Sequence, residues 1–404
     1  MKDLYELIAQ SSEKMQGDLL AWRHRLHQHP ELSFKEVKTT EFVAAKLREF
    51  GYENVQCGFG PIKTGVCAVV GKGEKCLALR ADMDALPIQE TTDLEFKSCC
   101  DGVMHACGHD MHTTVLLAVA KILKSVEADL PGRVKLIFQP AEETRCKIFE
   151  KPLSGAGYVV RSGAIDGVDA VFGMHVWGIF EANKIFVRVG PTMMASGRFN
   201  LEVIGKGTHG ASPHLGYDPI TTACQIVTAA QTIVSRETSP IDPALITFGT
   251  IHAGTATNII PEKVVLSGTL RAASEQTVRF MGRRLGEMAD LTARAHQCRT
   301  SYDLLINGPA VVNDAGMVET LRQAATRMVG EDRVCDVQML TGSEDFREYS
   351  SRCPSALFFM GMHDERRGIG QPQHDPAFIS NDDVLVDAVK VMAASAVRWL
   401  EKNC

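Results

Sequence analysis

Hydrophobic residues recur along the chain in two alternating patterns, which are short continuous runs and longer segments with helical spacing. Residues 66–71 (VCAVVG) and 76–81 (CLALRA) are short apolar runs, which indicate strands that are buried on both faces. Residues 113–126 (TTVLLAVAKILKSV) are long enough to form a helix. Two more strand-like runs follow at 134–138 and 170–176. This alternation predicts a three-layer α/β domain with a mostly parallel sheet.

Two amphipathic helices are predicted before the first strand-like run. Leu4, Leu7 and Ile8 have helical spacing near the N-terminus. A second helix is indicated by the apolar residues at 43–47, and Gly51 ends it. Both helices belong to the first part of the α/β domain.

The pattern changes at about residue 191. Residues 199–207 (FNLEVIGKG) and 244–254 (ALITFGTIHAG) are strand-like, and helix-like segments lie between and after them. After about Leu305 the earlier alternation returns, for example in the strand-like run at 355–362 (SALFFMGM). We therefore predict an α/β domain formed by residues 1–190 and 305–404. A smaller α+β domain, residues 191–304, is inserted into it.

Length and charge are consistent with this division and exclude several kinds of partner. A chain of 404 residues favours two domains over one. The net charge of -6 comes without a block of like charges, so nucleic acid and anionic membranes are not expected as partners. No apolar stretch reaches the length of a membrane span, and the first residues lack the apolar core of a signal peptide. A cytoplasmic location is expected.

The chain contains 12 cysteines, and they are scattered along its length. Without a secretory signal, this distribution predicts reduced thiols, most of them buried as small hydrophobic residues. The adjacent pair Cys99 and Cys100 is given no catalytic role.

Polar side chains with metal or acid–base chemistry follow the predicted strands. The carboxyl ends of parallel strands meet along one edge of a sheet, so the loops after them bring such side chains together. Taken singly, each of these residues has an ordinary structural explanation, and only their convergence favours a common site. The candidates are Asp82, Asp84, Cys107, His109, Asp110, His112, Glu142, Glu143, His175 and His374.

The chemistry of these candidates favours a metal site. A thiolate, imidazoles and carboxylates suit zinc, manganese, cobalt or nickel, because each offers a lone pair to a borderline divalent cation. The adjacent Glu142 and Glu143 allow one glutamate to bind metal while the other acts as a general base. A thiol hydrolase, with Cys107 as the nucleophile and His109 as its base, is the alternative. That alternative leaves both glutamates without a role.

Several longer motifs follow one another along the chain. They are RADMDALPIQE (80–90), MHACGHDMH (104–112), FQPAEE (138–143), GMHVWG (173–178), GKGTHGASPH (205–214), GTATNIIPE (254–262) and TGSEDF (341–346). Together they resemble the binuclear metal aminoacylase and carboxypeptidase superfamily, in particular the branch of hippurate hydrolases and auxin-conjugate amidohydrolases. The resemblance extends from about residue 23 to residue 383. It implies a catalytic α/β domain interrupted by a smaller α+β lid domain that commonly mediates dimerisation.

The resemblance also implies a site for two divalent metal ions, with zinc or manganese expected first and cobalt or nickel as alternatives. Cys107 stands where relatives use a metal-bridging aspartate. Asp82 stands where those relatives place a histidine ligand, and His109 is interpreted as its replacement. Asp84 resembles the carboxylate that orients a ligand. By similarity the metal ligands are Cys107, His109, Glu143, His175 and His374.

The same resemblance implies an enzyme that hydrolyses N-acyl amino acids to a carboxylic acid and a free amino acid. Glu142 would be the general base that activates the metal-held water and passes its proton to the leaving amine. His209 of the lid resembles the histidine that reaches across from the partner subunit in dimeric relatives and stabilises the oxyanion. Asn258 and Arg271 match residues that hold the substrate carboxylate. A homodimer formed through the lid and acting on a small molecule is expected.

One segment departs from the family pattern. Relatives usually follow the two glutamates closely with a Gly-Gly-Ala turn and a helix, whereas this chain inserts TRCKIFEKPLS at residues 144–154. We hypothesise that this longer loop shapes the acyl pocket and sets the substrate preference.

Two other functions remain open at the level of sequence. A dipeptidase or carboxypeptidase of the same superfamily would use the same groups to cleave a peptide bond. A metal-binding protein that has lost catalysis is an alternative of another class, and the presence of Glu142 weighs against it.

Overall fold

The computed structural model describes residues 3–148 and 151–404. Phe149 and Glu150 of the longer loop lie outside the described residues, so the hypothesis on that loop stays a prediction. The α-helices are α1 (Leu4–Lys14), α2 (Gln16–Gln28), α3 (Val37–Glu49), α4 (His109–Ser125), α5 (Gly155–Arg161), α6 (Pro219–Thr232), α7 (Glu275–Ala295), α8 (Ala315–Val329), α9 (Arg347–Ser350) and α10 (Leu385–Asn403).

The β-strands continue the same chain order. They are β1 (Gln56–Phe59), β2 (Ile62–Val70), β3 (Cys76–Asp82), β4 (Arg133–Gln139), β5 (Ala170–Glu181), β6 (Ile185–Val187), β7 (Gly190–Met193), β8 (Ala195–Ile204), β9 (Thr208–His209), β10 (Ala244–Ala253), β11 (Ile259–Ile260), β12 (Lys263–Ala272), β13 (Arg299–Gly308), β14 (Val311–Asn313), β15 (Val334–Asp336) and β16 (Ser355–His363).

The first compact unit contains a mixed sheet. It comprises Met1–Gly190, Val312–Gln338 and Glu348–Cys404. Its sheet has the strand order β1-β2-β4-β3-β5-β16-β6-β15 in the described part of the chain. The central strands β4, β3, β5 and β16 are mutually parallel. Strands β1 and β2 pair with their neighbours in antiparallel fashion, and β6 is antiparallel to β16 and parallel to β15. The predicted α/β fold is confirmed, with its parallel strands at the centre of the sheet.

The continuous apolar runs are explained by burial on both faces of these central strands. Every residue of β3 is buried. Phe138, Phe172 and Phe358, from β4, β5 and β16, are inaccessible to solvent and share one core with residues of α4 and α10. Because a strand in this position contacts apolar neighbours on each side, alternation with polar residues is absent. This core holds the carboxyl ends of β3, β4 and β5 in fixed positions.

The second compact unit comprises Pro191–Val311 and Met339–Arg347. Its antiparallel sheet has the order β10-β12-β8-β13, and α6 and α7 pack against it. Leu201 of β8 and Leu266 of β12 are paired across the sheet and lie in one buried core with Leu285 of α7. This is the α+β composition that the sequence predicts for the inserted segment.

The predicted domain limit after residue 304 differs from the limit of the second compact unit. It falls inside β13, whose residues Arg299–Gly308 pair with β8 along nearly their whole length. The compact unit therefore extends to Val311, and it also includes Met339–Arg347 from later in the chain. The proposed domain limits at 190 and 304 remain a prediction about domains, whereas these units describe packing within the structure.

The expectation that most cysteines are buried is wrong. All of them are free of disulfides, as predicted. Cys67, Cys76, Cys107 and Cys298 are the buried ones, and the others are exposed or partly exposed. Among the described helices, none is both long enough and apolar enough to cross a membrane.

Candidate metal centre

A glycine turn places Cys107 and His109 at the start of α4. Gly108 has a φ of 86°, a left-handed conformation that glycine adopts without steric cost. A Cβ atom at this position would lie 2.3 Å from Cγ2 of Val176 on β5. Only glycine fits here, so the chain turns sharply between the two candidate ligands. The helix begins at His109, four residues earlier than the sequence pattern indicates.

Cys107, His109 and His175 form a buried group at the carboxyl ends of the central strands. One side-chain ligand atom from each lies within 4.8 Å of the other two. Sγ of Cys107 is 3.5 Å from Nε2 of His175. Nδ1 of His175 lies 2.5 Å from the carbonyl oxygen of Val176, which assigns the ring proton to Nδ1. The lone pair on Nε2 is therefore directed towards Cys107.

His109 is oriented in the same manner by Asp84. Nδ1 of His109 lies 2.9 Å from the carbonyl oxygen of Asp84 and 3.2 Å from its Oδ1. The proton therefore lies on Nδ1, and Nε2 is left with a lone pair. This Nε2 is buried and has no hydrogen-bond partner among the described residues. A buried nitrogen without a partner requires an explanation, and a divalent cation supplies one.

A second group consists of Cys107, Glu143 and His374. Nε2 of His374 lies 3.0 Å from Oε1 of Glu143. His374 has a φ of 70°, and its backbone N–H donates to the carbonyl oxygen of Ala106 at 2.8 Å. This bond brings a distant part of the chain beside the Cys107 turn. Cys107 thus belongs to two groups of potential ligands, and Glu142 joins His109 and Glu143 in a third.

Asp82 and His112 lie close to His109, but hydrogen bonds already use their polar atoms. Oδ2 of Asp82 accepts from Arg80 and Oδ1 accepts from Nδ1 of His112, each at 2.6 Å. Nε2 of His112 accepts from the backbone N–H of Val176 at 2.9 Å. The side chains of Asp82, His109 and His112 have a spacing that suits a metal ion. We assign Asp82 and His112 a structural role, since His112 has no lone pair left for an ion.

Charges near the site hold Asp82 and Asp84 ionised. Burial raises the pKa of Asp82, but the Arg80 guanidinium and the adjacent histidines outweigh it, and the pKa lies well below its usual value. Burial also raises the pKa of Asp84, and hydrogen bonding to His109 reverses the effect, so that pKa is lowered as well. Both carboxylates are therefore acceptors.

The pKa of Cys107 weighs against a thiol hydrolase. Burial, followed by the nearby Glu143 carboxylate, raises the pKa of this thiol well above its usual value. A reactive thiol needs a lowered pKa, because the thiolate is the nucleophile. A bound cation would reverse the balance by stabilising the thiolate directly. The surroundings of Cys107 therefore suit a metal ligand better than a nucleophile.

Asp84 also holds the backbone that carries the two glutamates. Its Oδ1 accepts from the N–H of Glu142 at 3.0 Å, and its Oδ2 accepts from the N–H of Glu143 at 3.1 Å. The hydroxyl of Ser33 donates to Oδ2 at 2.6 Å. Sequence reasoning missed Ser33, because a serine in a loop has no pattern that distinguishes this role. Asp84 links the turn of the glutamates to the ring of His109.

We expect Asp84→Asn to lower kcat or metal affinity by about 10- to 100-fold, the range for residues that orient metal ligands. An amide has one acceptor oxygen in place of two, so the turn loses the bond from the N–H of Glu142, or it loses the bond from the N–H of Glu143 together with that from Ser33. Bound metal and kcat of the purified variant would be measured together. Asp169→Asn is the control, because Asp169 accepts a backbone N–H from Cys76, at the start of β3. Parent values for both quantities in Asp84→Asn would contradict this account.

The remaining predicted site residues lie in the second compact unit. His209 of β9 pairs with Ile259 of β11, and its Nδ1 accepts from the N–H of Ala211 at 3.0 Å. Asn258 is exposed, and its carbonyl oxygen accepts from Gly210 at 2.8 Å. His209 and Asn258 thus share one exposed two-stranded ribbon. Arg271 lies on β12 and donates from Nη1 to the carbonyl oxygen of Thr341 at 3.0 Å.

The first unit combines an α/β sheet, ligand atoms of the kinds that borderline divalent cations prefer, and a pair of adjacent glutamates at the strand ends. A cation of this kind polarises a carbonyl and activates water, and a carboxylate beside it moves the proton. These features define the class of metal-dependent hydrolases.

Comparison with known proteins gives the family. Residues 78–398 match the model of Peptidase family M20/M25/M40. The chain is 36% identical over 393 residues to IAA-amino acid hydrolase ILR1-like 4 of Arabidopsis thaliana, a match that covers 95% of this chain and 87% of the relative. It is also 36% identical over 391 residues to the N-acetyl-L-cysteine deacetylase of Bacillus subtilis, with 96% and 90% covered.

A solved structure agrees with these matches. The crystal structure of a dinuclear metal-binding peptidase of the M20 family from Bacillus subtilis superposes with a TM-score of 0.82 and 32% identity, covering 96% of this chain and 99% of that one. This chain belongs to Peptidase family M20/M25/M40. It is a metal-dependent hydrolase that cleaves amide bonds.

Proposed function

We propose that this protein hydrolyses the amide bond of N-acyl amino acids at a site for two divalent metal ions. The observation that carries the proposal is the position of Cys107, which is shared by two groups of ligand atoms. A sulfur atom shared in this way suits a bridging ligand, with His109 and His175 on one side and Glu143 and His374 on the other. These five residues are the proposed ligands.

The ligand set favours zinc or manganese, with cobalt and nickel as alternatives. One thiolate, three imidazoles and one carboxylate offer both soft and hard donors, and these donors overlap in their metal preferences. The solved relative described as dinuclear supports the number of ions proposed here. When bound, the ions supply a Lewis acid for the amide carbonyl and lower the pKa of a water molecule.

Glu142 acts as the base in this proposal. It lies within 4.8 Å of His109 and Glu143, measured between ligand atoms, and its backbone is held by Asp84. A carboxylate at this position removes a proton from the attacking water and later delivers it to the nitrogen of the leaving amino acid. Glu143, its neighbour, is assigned to metal binding together with His374, whose Nε2 lies 3.0 Å from Oε1 of Glu143.

Residues of the second unit complete the proposal. His209 is assigned to the oxyanion, and Asn258 and Arg271 are assigned to the substrate carboxylate. These roles, and a homodimer formed through residues 191–304, follow from the resemblance of the sequence motifs to the family, and a cytoplasmic location is proposed as well. The substrate class is supported by the names of the two relatives, one given for IAA-amino acids and the other for N-acetyl-L-cysteine.

A peptidase that uses the same groups is the second candidate. It is favoured by the solved relative, which is described as a peptidase and is similar over nearly the whole chain. Comparing kcat/KM for N-acyl amino acids with kcat/KM for dipeptides, after separate loading with zinc, manganese, cobalt and nickel, distinguishes the two. Higher values for dipeptides would favour the peptidase, and no hydrolysis by any loaded form would favour a non-catalytic metal-binding protein.

We expect a strong chelator to abolish hydrolysis and the return of a divalent metal ion to restore it. The physical reason is that the proposed reaction depends on bound cations, and a cation would explain why the buried Nε2 of His109 has no hydrogen-bond partner among the described residues. Activity would be followed together with bound metal during dialysis. Treatment with a thiol-blocking reagent while metal is bound serves as the comparison, since a buried coordinated sulfur is protected. Full activity in the metal-free protein would favour the thiol hydrolase.

A further inference from the structure

Three consecutive backbone N–H groups before and within the glutamate pair are each bound by a buried carboxylate oxygen. The N–H of Ala141 donates to Oε1 of Glu36 at 2.8 Å. Those of Glu142 and Glu143 donate to the two oxygens of Asp84 at 3.0 Å and 3.1 Å. The turn that carries the proposed base is therefore fixed by two acids from other parts of the chain.

The turn needs this support because of its backbone conformation. Ala141 has a φ of 51°, in the left-handed region that residues with a Cβ atom rarely adopt. Such a conformation persists only where the surrounding structure determines it. The carbonyl oxygen of Ala141 is also bound, accepting from the N–H of Gly155 at 2.8 Å. Both polar groups of Ala141 are thus held in place, one of them by Glu36.

Glu36 contacts this turn from outside the groups of potential metal ligands that the described residues form. It occupies the N-cap position of α3, where its side chain makes no capping hydrogen bond, and it is completely buried. Its Oε1 accepts from Phe34 at 2.9 Å as well as from Ala141. Asp84, in contrast, also contacts His109, so a change there affects a proposed metal ligand. Glu36 is absent from the groups of potential metal ligands found among the described residues.

We propose that Glu36 is a positioning residue for the general base, because its carboxyl group holds the N–H of Ala141 and so fixes the turn that directs Glu142. The inference rests on the proposed function, in which Glu142 is that base. The acceptor oxygen is the required feature, and the negative charge is not. Burial, followed by the nearby Asp84 carboxylate, raises the pKa of Glu36 to about 7. A neutral amide is therefore a close substitute.

Two variants of similar volume separate the acceptor from the space that it fills. Glu36→Gln keeps an oxygen that can accept from Ala141, and it should retain kcat within about twofold of the parent. Glu36→Met fills the space without an acceptor, and kcat per bound metal should fall by about tenfold, since positioning residues typically contribute 10- to 100-fold. KM and metal content should stay close to the parent values. Asp169→Leu is the control, because it removes a carboxylate that binds the N–H of Cys76.

A double variant tests whether Glu36 acts through Glu142. In a Glu142→Gln background, Glu36→Met should cause no further loss of kcat, because residues that act as a unit are not additive. Equal kcat for Glu36→Met and the parent would overturn the inference. The inference would also be overturned if the loss of kcat caused by Glu36→Met multiplied with the loss caused by Glu142→Gln. A variant that lost only metal content would overturn it too.

Folding of the variants is part of the same experiment. Glu36→Ala would replace Glu36→Met if the latter did not fold, and failure of both would assign Glu36 a structural role and overturn the inference. The proposed function is tested separately by Glu142→Gln alone. If that variant kept the parent turnover, the proposed base would be wrong whatever the Glu36 variants did.

Discussion

The Glu142→Gln variant is expected to lose turnover by about 10²- to 10⁴-fold, the usual contribution of a general base. Glutamine has nearly the same shape as glutamate, but it cannot take a proton from water at neutral pH. The backbone bond from residue 142 to Asp84 is unaffected by the substitution. Metal content should therefore remain at the parent level, and kcat should fall. Both quantities would be measured on the same preparation.

The adjacent glutamate provides the matched control for this experiment. Glu143→Gln is expected to lower metal content, because Glu143 shares a group of ligand atoms with Cys107 and His374. The two neighbouring substitutions should thus produce different defects. Parent turnover in Glu142→Gln, or loss of metal from it while Glu143→Gln stays loaded, would reverse the assignment of the pair.

Cys107→Ala is expected to weaken metal binding by at least about 100-fold, because residues that merely orient ligands already contribute 10- to 100-fold. Cys107 belongs to both groups of ligand atoms on which the two-metal proposal is based. Removing its sulfur should therefore affect both ions and abolish hydrolysis. Bound metal per chain and kcat would be measured after loading at increasing metal concentration.

Cys76→Ala is the matched control for the loss of a buried thiol. Cys76 lies at the start of β3, is buried, and is absent from the groups of potential ligands found in the described residues. Its substitution should leave metal content unchanged. The bridging role would be excluded by a Cys107→Ala variant that still binds two ions with the parent affinity.

The sequence predicts the central sheet and much of the site for the same physical reason. Strands β3, β4 and β5 are buried on both faces, so their apolar runs are continuous and easily recognised. The loops after parallel strands converge, and this rule alone indicates that Cys107 and His175 lie close together. Their separation of 3.5 Å, from Sγ to Nε2, agrees with that expectation.

Helix α2 shows why other parts could not be predicted. Its sequence, QGDLLAWRHRLHQ, mixes apolar residues with charged and polar ones that are also buried. Arg23 and His27 are inaccessible to solvent, and the Asp110 carboxylate, 3.3 Å from Nε of Arg23 and 2.7 Å from Nδ1 of His27, offsets the cost of burying them. Asp110 comes from a distant part of the chain. When polar side chains pair with one another in the core, the buried face of a helix is no longer marked by hydrophobic residues. The hydrophobic pattern then does not predict the helix.

Hydrogen bonds to the backbone were equally inaccessible to sequence reasoning. Glu36 and Ser33 act through single atoms whose partners are far away in the sequence. No periodicity or spacing marks such a contact. The turn at Ala141 could not be predicted either, because alanine by itself disfavours a left-handed conformation. The surrounding structure imposes this conformation on Ala141.

The placement of the second compact unit within the chain affects when the proposed metal centre can be assembled during synthesis. Four of the proposed ligands precede Pro191, whereas His374 follows Val312, so the inserted unit is made between them. Chains emerge from the ribosome with the N-terminus first. A nascent chain that ends within the insertion therefore lacks one ligand and gains less stability from metal than the finished chain does. Metal binding would in this way favour completed molecules over truncated ones.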